Sequence, residues 1–426
     1  MPRFKKWTQG TSKKIEQYLK KIGPGMITGA SDDDPSGIAT YSQAGAQFGL
    51  STLWTAIITF PLMAGVQEMC ARIGLVNSLG LAGVIKKHYP KPVLYLTVLL
   101  TVPAILFNIG ANIASMGAVA SMILPAIDAV YFSIGFTLLI LYFMIYLNYQ
   151  RIATILKYAC AILLVYLIVP FTTTTHWKEV IHSFYAPTIS WNKEYLAMLV
   201  AILGTTLSPY LFFWQASMEA EERKHGLRRI IINKKHIREM RFDIDLGMLF
   251  SNVVMFFIML TSGTVLYQAG VYNIETVEQA AEALRPLAGE QAYWLFAIGI
   301  IGTGLLAIPV LSGSVSYILA ECFNLSNGLD KKFHEAKSFY LIIAVSLMAG
   351  LSLNYIGISA IQALLYSAIL YGLTAPLLIG LILHMSNKSS IMGKHQNGWL
   401  SNFLGIASLI LMAAAAAGLV YLFFRN

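Results

Sequence analysis

The chain has 426 residues, of which 57% are hydrophobic and 12% charged, with a mean hydropathy of +0.64. Soluble domains carry about 25% charged residues, so the composition excludes a soluble globular protein and describes a polytopic membrane protein. The net charge of +9 does not call for nucleic acid, because membrane proteins concentrate Lys and Arg in cytoplasmic loops. Cys70, Cys160 and Cys322 are scattered among apolar segments, with no spacing that suggests zinc or a disulfide framework.

In chain order, residues 1–21 form a basic cytoplasmic N-terminus. It leads into a broken span with no small-residue cleavage site, so it is not read as a cleaved signal peptide. Apolar runs of about 20 residues then predict eleven spans: Ile22–Gln47, Leu53–Ile73, Val93–Leu124, Val130–Leu147, Ala153–Phe171, Tyr195–Ala220, Leu246–Tyr267, Ala292–Leu319, Ser338–Leu353, Ile358–Leu383 and Leu400–Phe424. With the N-terminus inside, only Lys178, Lys193, Arg285 and Arg425 of the 30 basic residues fall outside the cytoplasmic segments. That bias sets the orientation and places the C-terminus outside. The basic run Arg223–Arg241 reads as a topology-setting loop near anionic lipid, not a nucleic-acid patch.

The first span contains Ser31-Asp32-Asp33-Asp34-Pro35-Ser36-Gly37. Pro35 removes a backbone donor and biases Asp34 away from helix. The span therefore breaks near Asp34 and resumes after Pro35, and the freed carbonyls with a carboxylate make an oxygen-lined cation site. Asp32 and Asp33 have two readings: part of that site, or an interfacial turn in water. Span 6 carries a second interruption, Leu203-Gly204-Thr205-Thr206-Leu207-Ser208-Pro209-Tyr210. Alone, Ser208-Pro209 reads as a proline kink. Spans 1–5 enter from inside and spans 6–10 from outside, and interrupted helices in corresponding positions of two inverted halves point to a transporter's midplane site. The predicted organisation is an all-α membrane fold. Residues 22–171 form a first inverted repeat, 172–194 an extracellular loop, 195–383 a second inverted repeat and 400–424 an accessory eleventh span.

Other features have simpler readings. Glu68 and Arg72, one turn apart in span 2, form a local ion pair. Glu219, Glu221 and Glu222 sit in cytosolic water or line a cation-gathering vestibule. The small residues of Gly110–Ala120 permit close helix packing. Glu275–Leu287 is an external amphipathic helix.

These motifs resemble the Nramp family of divalent-metal transporters over nearly the whole chain: Gly23-Pro24-Gly25, Asp34-Pro35-Ser36-Gly37, Gly204 to Tyr210 and Tyr317–Glu321. The family's span 1 motif is Asp-Pro-Gly-Asn, whose Asp and Asn bind metal; here these positions are Asp34 and Gly37. Its span 6 motif is Met-Pro-His; here it is Ser208-Pro209-Tyr210, and the backbone-carbonyl ligand falls on Thr205. Acidic residues of the family's proton pathway in span 3 become Asn108 and Ala111. The resemblance implies a metal site of Asp34, Gly37, Thr205 and Ser208, with Tyr210, Tyr366 and Ser367 as further candidates.

The departures imply a particular substrate. A thioether favours soft transition metals, whereas carboxylate, carbonyl, hydroxyl and water suit Mg²⁺ or Mn²⁺. Gly37 and Ser208 are expected to leave room for a partly hydrated ion. The pattern is most similar to the Nramp-related magnesium transporters, a branch without proton coupling. The expected activity is import of Mg²⁺ or Mn²⁺ across the plasma or inner membrane by alternating access, with divalent ions and lipid as partners. No cofactor, nucleic acid or obligate protein partner is expected. The alternative is a proton-coupled Mn²⁺/Fe²⁺ symporter. A sodium-coupled symporter of organic solutes is disfavoured because Asp34 would repel a substrate carboxylate. A sensor or scaffold is disfavoured because no soluble domain is appended, and an enzyme because no nucleophile, base or metal constellation is found.

Overall fold

The structure is a computed structural model that describes residues 23–146, 161–172, 176–225 and 234–425. The basic N-terminus, the first part of the predicted fifth span (residues 153–160) and the centre of the Arg223–Arg241 run lie outside the described residues. Among the described residues the chain is helical, without strands, and eight helical stretches are long and apolar enough to cross a membrane.

The first span is two helices, α1 (Pro24–Asp32) and α2 (Pro35–Phe48), separated at Asp33-Asp34. Then follow α3 (Trp54–Asn77), a short α4 (Leu81–His88), the long α5 (Lys91–Ile123) and α6 (Ala129–Tyr146). Residues 161–172 are not a regular α-helix but a 3₁₀ turn, Ala161–Leu167, followed by Val169–Thr172. After α7 (Trp177–Tyr185) comes a second broken span, α8 (Lys193–Thr206) and α9 (Pro209–His225). The remaining long helices are α10 (Lys234–Val265), α11 (Ala292–Phe323), α12 (Lys337–Leu353), α13 (Ala360–Asn387) and α14 (Trp399–Arg425).

Both breaks have the same local cause. Pro35 and Pro209 each occupy the first position of the second half-helix, where a missing N–H costs nothing and a fixed φ is already helical. Asp34, just ahead of Pro35, and Leu207, two residues ahead of Pro209, leave the helical region. The chain Glu275–Leu287 differs from expectation. It divides into Val277–Ala281, a 3₁₀ turn Glu282–Leu284 and Arg285–Ala288 rather than one amphipathic helix. Pro286 is compatible only with the first turn of a new helix.

The two broken spans lie at the centre. In the α8–α9 stretch, 89% of the most apolar window is buried, against 22% in α6 and 28% in α14. α10 packs along α1 and α2, α8 along α13, and α5 against both α11 and α13. Glycines allow the closest approaches. A Cβ on Gly204 of α8 would sit 2.1 Å from the Ala368 carbonyl oxygen of α13, and one on Gly110 of α5 would sit 2.6 Å from that of Gly350 in α12. The peripheral helices turn apolar side chains outward, including Leu99, Leu138, Ile410 and Phe424. That surface suits lipid, where the backbone needs internal hydrogen bonds and the side chains do not.

One end of α1 is anchored electrostatically. Gly23, Gly25 and Met26 donate their N–H groups to the carboxylate of Asp243 in α10, at 2.7–3.3 Å. A carboxylate on the unsatisfied donors of a helix N-terminus is the favourable sign. Glu321 does the same for α4, accepting from Gly80 and Gly83 at 2.6 and 2.8 Å, while Lys86 returns to the Cys322 carbonyl at 2.7 Å. Glu68 and Arg72 pair as expected, at 3.1 Å and buried. Arg72 also donates to the carbonyls of His395 and Gln396, which ties down the turn before α14.

Candidate functional site

The three consecutive aspartates face different partners. Asp34 is the N-cap of α2, and its Oδ1 accepts the Gly37 N–H at 2.8 Å. Its Oδ2 accepts two side-chain amides from α5, Asn108 at 3.0 Å and Asn112 at 3.1 Å. Asp32 and Asp33 instead turn to α10, where the Ser251 hydroxyl lies 2.7 Å from Asp32 Oδ2 and 3.2 Å from Asp33 Oδ1. All three are buried, and one oxygen each of Asp32 and Asp33 has no hydrogen-bond partner among the described residues. The reading of Asp32 and Asp33 as water-exposed turn residues is therefore corrected. A break at the end of α1 places them inside the helix packing, not at its rim.

The second break meets the first. Thr205 Oγ1 lies 3.5 Å from where a Cβ on Gly37 would stand, and the Tyr210 hydroxyl donates to the Ser31 carbonyl at 2.9 Å. Ser208 donates its hydroxyl to the Thr205 carbonyl, with the Gly204 carbonyl at 3.2 Å. Both carbonyls lie in the last turn of α8, which has no helical N–H to offer them. Thr205, Ser208 and Tyr210 are each buried to within 2% exposure. The expected spare room at Gly37 is not open in this structure. A Cβ there would meet the Asp32 carbonyl oxygen at 3.2 Å and the Tyr41 ring at 3.3 Å. Asp32 of α1, Tyr41 of α2 itself and Thr205 of α8 surround the position.

Span 10 contributes one of its two candidates. Ser367 of α13 is fully buried, lies 3.1 Å from the Ser36 hydroxyl and donates to Asn108 Oδ1 at 3.0 Å. Tyr366 is 51% exposed and takes no part. Adjacent residues on a helix point about 100° apart, so only one of the pair can face the site. The aromatic neighbour that span 10 does supply is Tyr371, whose ring lies 5.8 Å from that of Tyr210. Ala111 faces away, lining a 190 Å³ cavity with Gly110 and Ala114 of α5 and Leu353 and Asn354.

Sequence reasoning missed Asn112, Ser36 and Ser251. Asn112 had a legible signal: it follows Asn108 by one turn, so the two amides share a helix face. Ser251 had none, because nothing in α10 marks which turn will oppose Asp32. Glu219 and Glu221 also depart from expectation. They are buried, with Glu219 bonded to Gln215 at 3.1 Å and Glu221 to the Tyr317 hydroxyl at 2.6 Å. Only Glu222 of the three is exposed.

Among the described residues, no three His, Cys, Asp or Glu side chains converge to hold a metal. A cation here would rely on one carboxylate completed by carbonyl, amide and hydroxyl oxygens, a hard donor set. A family model described as Natural resistance-associated macrophage protein-like matches residues 25–422. The chain belongs to the Nramp family. Two relatives named Divalent metal cation transporter MntH agree with it. The one from Caldanaerobacter subterraneus is 21% identical over 92% of this chain and 90% of its own length. The one from Klebsiella pneumoniae strain 342 is 24% identical over 70% of this chain and 71% of its own. The solved structure of the Eremococcus coleocola manganese transporter with an aromatic bis-isothiourea substituted compound has a TM-score of 0.71. It is 18% identical, covering 95% of this chain and 88% of that one. The nucleobase-cation-symport-1 family transporter Mhp1 is also similar, with a TM-score of 0.57 at 12% identity over 94% of this chain and 92% of that one. The Nramp fold and the apolar helices make this a multi-pass membrane protein.

Proposed function

We propose that this Nramp-family protein carries divalent cations across a membrane by alternating access, with Mg²⁺ and Mn²⁺ as substrates and without coupled proton movement. Asp34 is the anionic ligand. Carbonyls at the two breaks, the Thr205 carbonyl and Ser208 hydroxyl among them, and retained water complete the shell. The two halves, residues 22–171 and 195–383, rock as inverted repeats about this site. The N-terminus lies in the cytoplasm and the C-terminus outside, as the basic loops require.

One observation carries the reading: the Asp34 carboxylate stands where two broken helices meet and accepts from neutral donors, Gly37, Asn108 and Asn112 among them. A single carboxylate with the carbonyl and hydroxyl oxygens of Thr205 and Ser208 close by is a hard donor set, which favours ions that keep part of their water. With an amide at the Asn108 position, that turn of α5 offers no ionisable group to relay a proton.

The test is uptake of Mg²⁺, Mn²⁺, Ca²⁺ and Cd²⁺ into proteoliposomes that contain a pH reporter. Saturable Mn²⁺ uptake, competed by millimolar Mg²⁺ and without internal acidification, is expected. Metal-dependent acidification above protein-free vesicles would instead establish the proton-coupled Mn²⁺/Fe²⁺ symporter.

A further inference from the structure

A carrier that alternates its access passes through a closed form twice in each net cycle, once loaded and once unloaded. In the loaded passage the cation balances its anionic ligand. In the unloaded passage the carboxylate needs another source of positive potential, because a buried charge without partners is strongly unfavourable. Asp34 is 2% exposed, and the donors around it come from the protein itself.

The α5 amides are the telling part. Asn108 and Asn112 lie one turn apart and place both N–H groups on the same oxygen, at 3.0 and 3.1 Å. Their other ends differ. Asn108 Oδ1 faces the Ser367 hydroxyl at 3.0 Å, a hydroxyl shared with the Leu364 carbonyl at 2.7 Å, and this sets the amide so that its NH₂ faces Asp34. Asn112 Oδ1 is buried and has no partner among the described residues, where the side chain's one hydrogen bond is to the carboxylate. With the Gly37 N–H on Oδ1, three of about four lone-pair sites on the carboxylate are taken. A cation at Asp34 would compete with these donors for the same oxygens. They therefore favour the unloaded carrier over the loaded one.

We infer that Asn108 and Asn112 are positioning residues for the return of the unloaded carrier, supplying to Asp34 the compensation that the cation supplies on the loaded leg. This rests on the transport reading above and adds to it the step the two amides control.

The experiment compares two modes of Mn²⁺ flux in proteoliposomes: net uptake into metal-free vesicles, and exchange against equal Mn²⁺ inside. Net uptake needs the unloaded return; exchange does not. Asn112→Leu, close in volume and without donors, is expected to lower the ratio of net uptake to exchange by about tenfold or more, the loss expected for a hydrogen bond to a buried charge. Its KM for Mn²⁺ in exchange should not rise. Ser367→Ala frees the far end of Asn108 and should shift the ratio in the same direction by about two- to threefold, the scale of one neutral hydrogen bond. It serves as the test should Asn112→Leu not fold. A parallel fall of both modes, or a higher KM with the ratio unchanged, would overturn the inference by placing the amides in the loaded site. Wild-type protein with no saturable flux in either mode would overturn the transport reading itself.

Discussion

At both interruptions a proline heads the second half-helix, Pro35 in α2 and Pro209 in α9, yet the two are satisfied in different ways. The α8–α9 break is neutral and largely closes on itself. Leu207 N–H reaches the Leu203 carbonyl at 2.9 Å, and Ser208 covers the Thr205 carbonyl within its own turn. The α1–α2 break carries Asp32, Asp33 and Asp34 and draws donors from elsewhere: Ser251 in α10 and Asn108 and Asn112 in α5. The same proline chemistry thus produces one break that depends on its neighbours for charge and another that supplies uncharged oxygens. A charged break is stable only where the rest of the fold compensates it.

The comparison is broken most severely at Asp34. Asp34→Ala is expected to abolish saturable Mn²⁺ uptake while the protein remains folded: the lost N-cap costs about 1 kcal/mol and the amides of Asn108 and Asn112 lose their acceptor, at about 1–3 kcal/mol each, but a buried charge is removed at the same time. Size-exclusion elution and thermal unfolding check the fold, and radiotracer or dye-reported uptake checks the flux. Unchanged uptake kinetics in a folded variant would remove Asp34 from the site.

A second substitution asks whether the charged break leans on its neighbours. Ser251→Ala deletes the hydroxyl between Asp32 and Asp33, whose remaining oxygens already lack partners. It is expected to destabilise the protein by about 1–3 kcal/mol, the cost of an unsatisfied buried group, read as a lower Tm in detergent. An unchanged Tm would mean that these carboxylates do not depend on α10.

The smallest effect is expected at the neutral break. Ser208→Met offers a soft ion a sulfur that water cannot match, so relative affinity should move toward Cd²⁺ over Mn²⁺ in isothermal titration. The shift is larger in the double variant Gly37→Asn with Ser208→Met. The Tyr41 ring and the Asp32 carbonyl oxygen stand 3.3 and 3.2 Å from the new Cβ position, so the asparagine must displace them to be seated. Micromolar Cd²⁺ binding by the wild-type protein, unaffected by excess Mg²⁺, would contradict a hard-oxygen site.

Much of this was legible from the amino acids because it depends on local chemistry. Apolar length marks most spans, a proline after Asp34 or Ser208 marks each break, and an i, i+4 spacing marks the Glu68–Arg72 pair; each follows from a few neighbouring residues. What only the tertiary structure decided is which polar groups meet across helices. Asp32 and Asp34 are two residues apart, yet one faces Ser251 and the other Asn112. Tyr366 and Ser367 are adjacent, yet one is half exposed and the other lies in the site. Helix rotation and the register of packing decide these outcomes. Both depend on contacts between residues far apart in the chain, such as α5 and α13 against α2, and no local pattern in the sequence records them.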